Sequence, residues 1–339
     1  MKKIKIGVLA PSEIAMRRFM PGIISSENFQ YIGIASASLE EWSGNPKDSD
    51  TVKREHEKAE VFRDKFGGIV FDSFGNLINS DEIEAVYIPL PPKLHFKWAK
   101  KVLEAGKHIL LEKPFASNSE ETKTLLSIAS KNNLAVHENF AFIFHKQIDT
   151  VKEVIESGTI GELRLIRTSF GFPYRGENDF RYHSKSGGGA LLDCGGYPLR
   201  LADYLLGGNC KVETADLRTC KNHDVDVFGC ATLYSENGMA QISFGMDNSY
   251  KCELEVWGSL GTLFTARVFT PTAEMQTEII VKTGEERRIT VPADDQFKNS
   301  ADYFASCIRN EKTRKENYEI ICNQSRLFDE VATLGNKGR

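Results

Sequence analysis

Six residues, A-P-S-E-I-A at 10–15, are the first place where residue types and spacing suggest chemistry. They follow a short apolar run and open a helical one, where a dinucleotide-binding chain presents backbone N–H groups to a pyrophosphate. Ala10, Ser12 and Ala15 stand at the three positions of a G-x-G-x-x-G/A pattern, with Glu13 and Ile14 between the last two. An alanine at the first position costs about 1 kcal/mol where the turn needs a positive φ. Ala15 lets helix and strand stay close, Pro11 pre-sets one φ, and the Ser12 hydroxyl can itself bond a phosphate oxygen. The same residues also suit an ordinary strand-to-helix turn.

Asp193 and Tyr197 form a second candidate pair, four apart in a helical segment and therefore on one face. A phenol can hand a proton to a carbonyl oxygen and take it back in the reverse reaction. With a free pKa near 10 it needs a cation beside it to work at neutral pH. Packing alone is the alternative for Tyr197, and a helix cap or buried ion pair is the alternative for Asp193. The segment I-A-S-A-S (34–38) ends a second apolar run without an acid to take a ribose 2′-hydroxyl, which favours NADP slightly over NAD. Ser36 and Ser38 offer hydroxyls to a 2′-phosphate, and Lys58 offers charge unless it lies solvated on its helix.

These residues need a scaffold. Apolar runs at 3–10, 29–37, 84–90, 107–112 and 133–139 read as strands, and helical periods at 13–25, 51–66, 93–105 and 118–132 alternate with them. Such alternation predicts βαβ units, a parallel sheet with helices on both faces, and ligands at the carboxyl ends of strands. Those ends fall after residue 9, after 35, and around 88–95 with 112–114. The polar stretch 40–55, with Gly and Pro, reads as a surface insertion.

Beyond about residue 140 a helix (146–157), a strand (163–172) and a Gly-rich turn with its helix (187–206) come first. Strands then follow at 211–220, 225–235, 239–248, 250–257, 261–269, 277–283 and 287–291, and helices at 295–309 and 318–334 close the chain. A run of strands like this predicts a large, mainly antiparallel sheet. The expected fold class is α/β: an N-terminal Rossmann domain at 1–122 with a doubly wound parallel sheet, and a C-terminal α+β domain at 123–339 with an open, mainly antiparallel sheet. The last helix can pack back on the first domain.

The 339 residues are 41% hydrophobic and 27% charged with a net charge of −4, so disorder and collagen-like repeats are excluded. Lys and Arg are dispersed, without the basic stripe that nucleic acid requires. No apolar run reaches bilayer length, and the start MKKIKIGVLAP reads as a first strand rather than a secretion signal. The seven cysteines contain no CxxC pair, which argues against a disulfide framework or a zinc knuckle. Reduced thiols of a cytoplasmic protein are expected, and with no HExxH, no metal site.

The segment LHFKWAKKVLEAGKHILLEKPFA (94–116) resembles the signature of the Gfo/Idh/MocA family (glucose–fructose oxidoreductase, inositol dehydrogenase, rhizopine catabolism). His95, Gly106, Lys107, His108, Glu112, Lys113 and Pro114 carry the likeness. VHENFAFIFHKQ (136–147), GGGALLDCGGYPLRLADYLLG (187–207) and VWGSLGTL (256–263) are similar to three further family segments in the same order, so the resemblance covers nearly the whole chain. Two departures stand out: the 10–15 turn lacks both family glycines, and LPPKLH before His95 lacks the asparagine many relatives carry after the first proline.

The resemblance implies an NAD(P)-dependent oxidoreductase with Lys113 beside the nicotinamide. Pro89, His95 and Glu112 then join Ala10, Ser12, Glu13, Ile14, Ser36, Ser38, Lys58 and Lys113 around the cofactor, while Lys113, Tyr197 and Asp193 are catalytic. A lysine ammonium about 4 Å from a phenol contributes roughly 4 kcal/mol at an effective dielectric near 20, which lowers Tyr197 toward neutrality. Asp193 bonds a substrate hydroxyl or orients Lys113. Tyrosine at 197, where inositol-type relatives often carry histidine, resembles the dihydrodiol, xylose, glucose–fructose and sugar-nucleotide ketoreductase branches. The expected substrate is therefore a sugar or sugar nucleotide. A trans-dihydrodiol or free aldose is the alternative, and a catalytically silent dinucleotide-binding regulator a third reading.

The loop GENDFRYHSKS (176–186) should overhang the site, with Arg181 clamping a phosphate or sugar hydroxyl and His183 and Lys185 solvated. Gly187–Gly189 allow either a close backbone approach or a plain turn into the helix. An open sheet face implies pairing with another copy, as a homodimer or homotetramer. Neither nucleic acid nor membrane is expected as a partner.

Overall fold

The computed structural model describes residues 2–220 and 222–336. The chain divides into two compact units. Met1–Ala116, Glu120–Asn139 and Phe297–Ile321 make the first; Ser117–Ser119, Phe140–Gln296 and Cys322–Arg339 make the second.

In the first unit, β1 (Ile4–Val8), β2 (Phe29–Ala35), β3 (Ile69–Phe71), β4 (Ala85–Ile88), β5 (His108–Leu111) and β6 (Val136–Glu138) form one sheet in the order β3-β2-β1-β4-β5-β6. Every neighbouring pair is parallel, as the Rossmann reading requires. The order reverses between β1 and β4, which sets the binding crevice at the carboxyl ends of those strands. The core gathers Ile6, Val8, Phe19, Ile34, Tyr87 and Phe304. Its helices are α1 (Met20–Ser25), α2 (Leu39–Trp42), α3 (Ser49–Phe66), α4 (Phe74–Ile78), α5 (Pro92–Glu104) and α6 (Ser119–Lys131).

The stretch 40–55 lies at the surface, with no buried residue, and its backbone is mostly helical: α2, a 3-10 turn over Pro46–Asp48, and the start of α3. A capping box explains the first of these helices, since Ser38 Oγ accepts the Glu41 N–H while Glu41 accepts the Ser38 N–H at 3.0 Å. The Glu41 carboxylate also takes the N–H groups of Phe74 (2.9 Å) and Gly75 (2.8 Å). The cut at 122–123 also differs from the observed division. Strand β6 pairs with β5, so the first unit runs on to Asn139 and later recovers Phe297–Ile321.

The second unit is built on eight strands: β7 (Leu163–Gly171), β8 (Lys211–Thr219), β9 (Asp226–Ser235), β10 (Gly238–Gly245), β11 (Lys251–Gly258), β12 (Thr262–Ala266), β13 (Thr277–Thr283) and β14 (Glu285–Val291). Their order is β14-β13-β12-β11-β7-β10-β9-β8, antiparallel throughout except for the parallel pair β7–β10. Strict alternation sends Ile166, Ala231, Leu233, Ile242, Leu254 and Leu263 into the core, with α7 (Lys146–Glu156) and α8 (Gly196–Leu205) on that side. The opposite face leaves Phe228, Tyr234, Met239, Trp257 and Phe264 exposed.

The chain closes with α9 (Gln296–Arg309) and α10 (Glu311–Gly335). Asp302 ties α9 to the start of β2, accepting from Ser26 Oγ (2.6 Å) and Asn28 Nδ2 (2.8 Å). Helix α10 begins well before the expected 318, because Asn310 caps it through the Thr313 N–H (3.0 Å). Among the described residues no helix is long and apolar enough to cross a membrane. All seven cysteines are free thiols.

Candidate active site

At the turn after β1, Ala10 does not take a positive φ, so the penalty for replacing glycine does not arise. Ser12 is a helix cap: its Oγ accepts the Ala15 N–H (3.1 Å) and its carbonyl the Met16 N–H (2.9 Å). The helix then widens into π winding over Ala15–Phe19. Its first turn leaves N–H groups at Glu13 and Ile14 without an intrahelical acceptor, the normal state of a helix start. The Glu13 side chain is exposed and faces Arg17 at 4.0 Å. A capped helix start without glycine strain fits a dinucleotide pyrophosphate.

The expected 2′-phosphate donors are already committed. Ser36 is buried with its hydroxyl 3.0 Å from His56 Nδ1. Ser38 serves the capping box, and Lys58 is ion-paired to Glu55 at 2.6 Å on the surface of α3. His56 is the residue that sequence reasoning missed. It lies twenty positions from Ser36, a spacing that no local pattern signals.

Buried hydrogen bonds flank the lysine loop on both sides. Lys113 follows β5, and its peptide bond to Pro114 is cis. The preceding Glu112 carboxylate accepts from Tyr87 Oη (2.6 Å) and Asn139 Nδ2 (2.7 Å). Asn139 Oδ1 in turn accepts from Ser300 Oγ (2.8 Å), whose oxygen lies 2.9 Å from His137 Nε2. Burial raises the Glu112 carboxyl above its usual range, against the pull of these donors and the Lys113 charge. On the other side, Phe115 N–H donates to Glu138 Oε1 at 2.7 Å.

The His95 side chain, expected in the cofactor pocket, lies between two backbone carbonyls. Its ring is fully buried, with Nδ1 2.7 Å from the Pro114 carbonyl oxygen and Nε2 2.6 Å from that of Leu90. Burial, aided by Lys113 nearby, depresses its pKa to about 4. His95 therefore links the segments leaving β4 and β5, and Pro89, between β4 and Leu90, is likewise buried. His108 is structural as expected, its Nδ1 accepting the Ala135 N–H (2.9 Å).

In the second unit Tyr197 stands among aromatic rings: Phe170 at 5.0 Å between centroids, Phe140 at 5.5 Å, Phe142 and Phe269 at 5.7 Å. Asp193 instead accepts from Arg181 Nε at 2.8 Å. A π turn over Leu191–Gly195 lies at the head of α8, so the four-residue spacing no longer follows ordinary helical winding. Arg181 was expected as a phosphate clamp; its guanidinium is held between Asp179 (3.1 Å) and Asp193, and against the burial that lowers its pKa these two carboxylates raise it. Gly188 and Gly189 are needed for space and for backbone shape. A Cβ on Gly188 would sit 2.3 Å from the Arg181 carbonyl oxygen, and Gly189 has φ +125°.

Comparison with known proteins matches both units. A family model described as an oxidoreductase family with an NAD-binding Rossmann fold covers residues 33–140, and one for the GFO/IDH/MocA C-terminal domain covers 148–264. The dTDP-3,4-didehydro-2,6-dideoxy-alpha-D-glucose 3-reductase of Actinomadura kijaniata is 35% identical over 97% of this chain and 95% of its own. The reductase of the same name from Saccharopolyspora spinosa is 36% identical over 91% of this chain and 88% of its own. A crystal structure of a 3-ketoreductase from Actinomadura kijaniata with NADP and TDP-benzene superposes with a TM-score of 0.89 at 34% identity, covering 98% of both chains. That ketoreductase has also been solved with one tyrosine changed to phenylalanine, and with one lysine changed to alanine or to glutamate.

Proposed function

Because the chain belongs to the Gfo/Idh/MocA family and is an NAD(P)-dependent oxidoreductase, we propose that it is a sugar-nucleotide ketoreductase in which Lys113 and Tyr197 handle the proton. The observation that carries this reading is the lysine loop at the carboxyl end of β5, where a buried hydrogen-bond web fixes Glu112 directly before Lys113. When bound, the nicotinamide supplies the hydride that reaches the carbonyl carbon. The Tyr197 hydroxyl gives its proton to the carbonyl oxygen, completing the alcohol. The Lys113 ammonium stabilises the phenolate that remains and polarises the same oxygen. The rings of Phe140, Phe142, Phe170 and Phe269 hold the Tyr197 ring in place.

The turn at 10–15 takes the pyrophosphate through the N–H groups of Glu13 and Ile14. The absence of an acid at the end of β2 favours NADP, and this agrees with the NADP found in the related 3-ketoreductase. A dTDP-linked keto-sugar is the substrate class favoured by the relatives. In solution the exposed apolar face of the large sheet pairs with a second copy, since Trp257 (53% exposed) and Phe228 (43%) otherwise stand in water. We read the protein as cytoplasmic.

Oxidation of NADPH and NADH is to be followed with a dTDP-linked 3-keto-sugar, free aldoses and trans-dihydrodiols. The expected result is NADPH consumption with the nucleotide-linked sugar. Turnover only of free aldoses or diols contradicts the substrate, and tight dinucleotide binding without any turnover contradicts the enzyme.

A further inference from the structure

Past the end of β7 a line of side-chain contacts leads away from Tyr197. Phe170 meets Tyr197 at 5.0 Å between centroids, Phe172 meets Phe170 at 6.0 Å, and the Arg175 guanidinium lies 4.5 Å from the Phe172 ring. These ring contacts connect the Arg175 guanidinium to the Tyr197 ring through Phe172 and Phe170.

Beside Arg175, Tyr174 packs against Tyr182 (4.7 Å) and His223 (5.9 Å), and Tyr182 lies 5.0 Å from His223. Tyr182 is buried and acts as the post of this group. Its hydroxyl donates to the Met246 carbonyl and accepts the Arg175 N–H at 3.2 Å. Main-chain bonds from Phe172 N–H to Gly245 (3.1 Å) and from Asn248 N–H to Phe172 (3.1 Å) fix the strand end. The backbone is thus held firmly, while Tyr174 keeps 40% of its surface exposed.

The two arginines of this region differ in a way that decides which can receive an anion. Arg181 is neutralised by Asp179 and Asp193. Among the described residues Arg175 has no carboxylate within ion-pair distance, and only a ring beneath it. We propose that Arg175 takes the diphosphate of a sugar nucleotide and that the Tyr174–His223 ring pair is the platform for its base. The inference rests on the sugar-nucleotide reading given above. Arginine over an aromatic ring suits a phosphate because its fork donates two bonds at once. Flat, exposed rings suit a base because stacking needs no special hydrogen-bond pattern. Desolvation, with Glu177 and Asp247 nearby, raises the Tyr174 phenol, which therefore stays neutral.

The test is calorimetric titration of the full chain with dTDP, thymidine and NADPH, using wild type, Arg175→Ala and Tyr174→Ala. Arg175→Ala is expected to weaken dTDP at least tenfold while thymidine and NADPH bind as before. Tyr174→Ala is expected to weaken dTDP and thymidine alike, with NADPH again unchanged. The KM for the sugar nucleotide should rise in both variants with kcat largely kept. Wild-type affinity for dTDP in both variants overturns this subsite and leaves the substrate reading standing. If wild type itself binds neither dTDP nor thymidine yet reduces free sugars, the substrate reading falls and this subsite falls with it.

Discussion

Lys113 and Tyr197 have surroundings of opposite character. Directly before Lys113, Tyr87, Asn139, Ser300 and His137 form a buried hydrogen-bond chain that ends on the carboxylate of Glu112. Around the Tyr197 ring stand Phe140, Phe142, Phe170 and Phe269. A polar web fixes direction and charge, and losing one atom leaves a buried group unsatisfied. A ring cage fixes the position of the ring by volume. The two settings should therefore respond differently to small substitutions.

The largest effect is expected from Lys113→Ala. It removes the ammonium, and kcat should fall about a thousandfold, the scale of acid–base catalysis, with NADPH affinity kept in a fluorescence titration. Tyr197→Phe keeps the ring and removes the proton donor. A loss of about a hundredfold in kcat is expected, with the ring contacts to Phe140, Phe142, Phe170 and Phe269 kept. Glu112→Gln should behave the other way. It costs about tenfold in kcat and also about 1–3 kcal/mol of stability in urea unfolding, since an amide cannot accept both of the present donors on one oxygen as well as the carboxylate does.

A smaller effect concerns pH. Burial depresses His95 and His108 to about 4 in the folded chain, against about 6.5 when unfolded. Between those values the unfolded chain binds protons that the folded chain refuses. Stability therefore falls as pH drops through that window, by roughly 3 kcal/mol for each ring. The raised Glu112 opposes this slope, but it is one group against two. Urea unfolding at a series of pH values checks the sign, and His108→Gln should flatten the curve.

The same contrast explains what was legible in the sequence. Strand order, the Rossmann class and the Lys113 loop were readable because apolar periodicity and a contiguous Glu–Lys–Pro segment carry them locally. The helix at Leu39–Trp42 was readable in principle: Ser38 and Glu41 have the spacing of a capping box, which outweighs the Gly and Pro that follow. Strand β3 has three residues, too few to show a period. The commitments of Ser36 to His56, of Arg181 to Asp193 and of His95 to two carbonyls depend on tertiary placement. No spacing rule gives them. Arg175 was passed over for Arg181 because both look alike until the carboxylates around each are known.

A double-mutant cycle on kcat, with Lys113→Ala, Tyr197→Phe and both together, tests most directly whether the two side chains form one proton-handling unit. If they do, the double variant should be within a few-fold of Lys113→Ala alone, because a unit already broken loses little more. Losses that multiply in full would show two independent contributions, and the paired mechanism would be wrong.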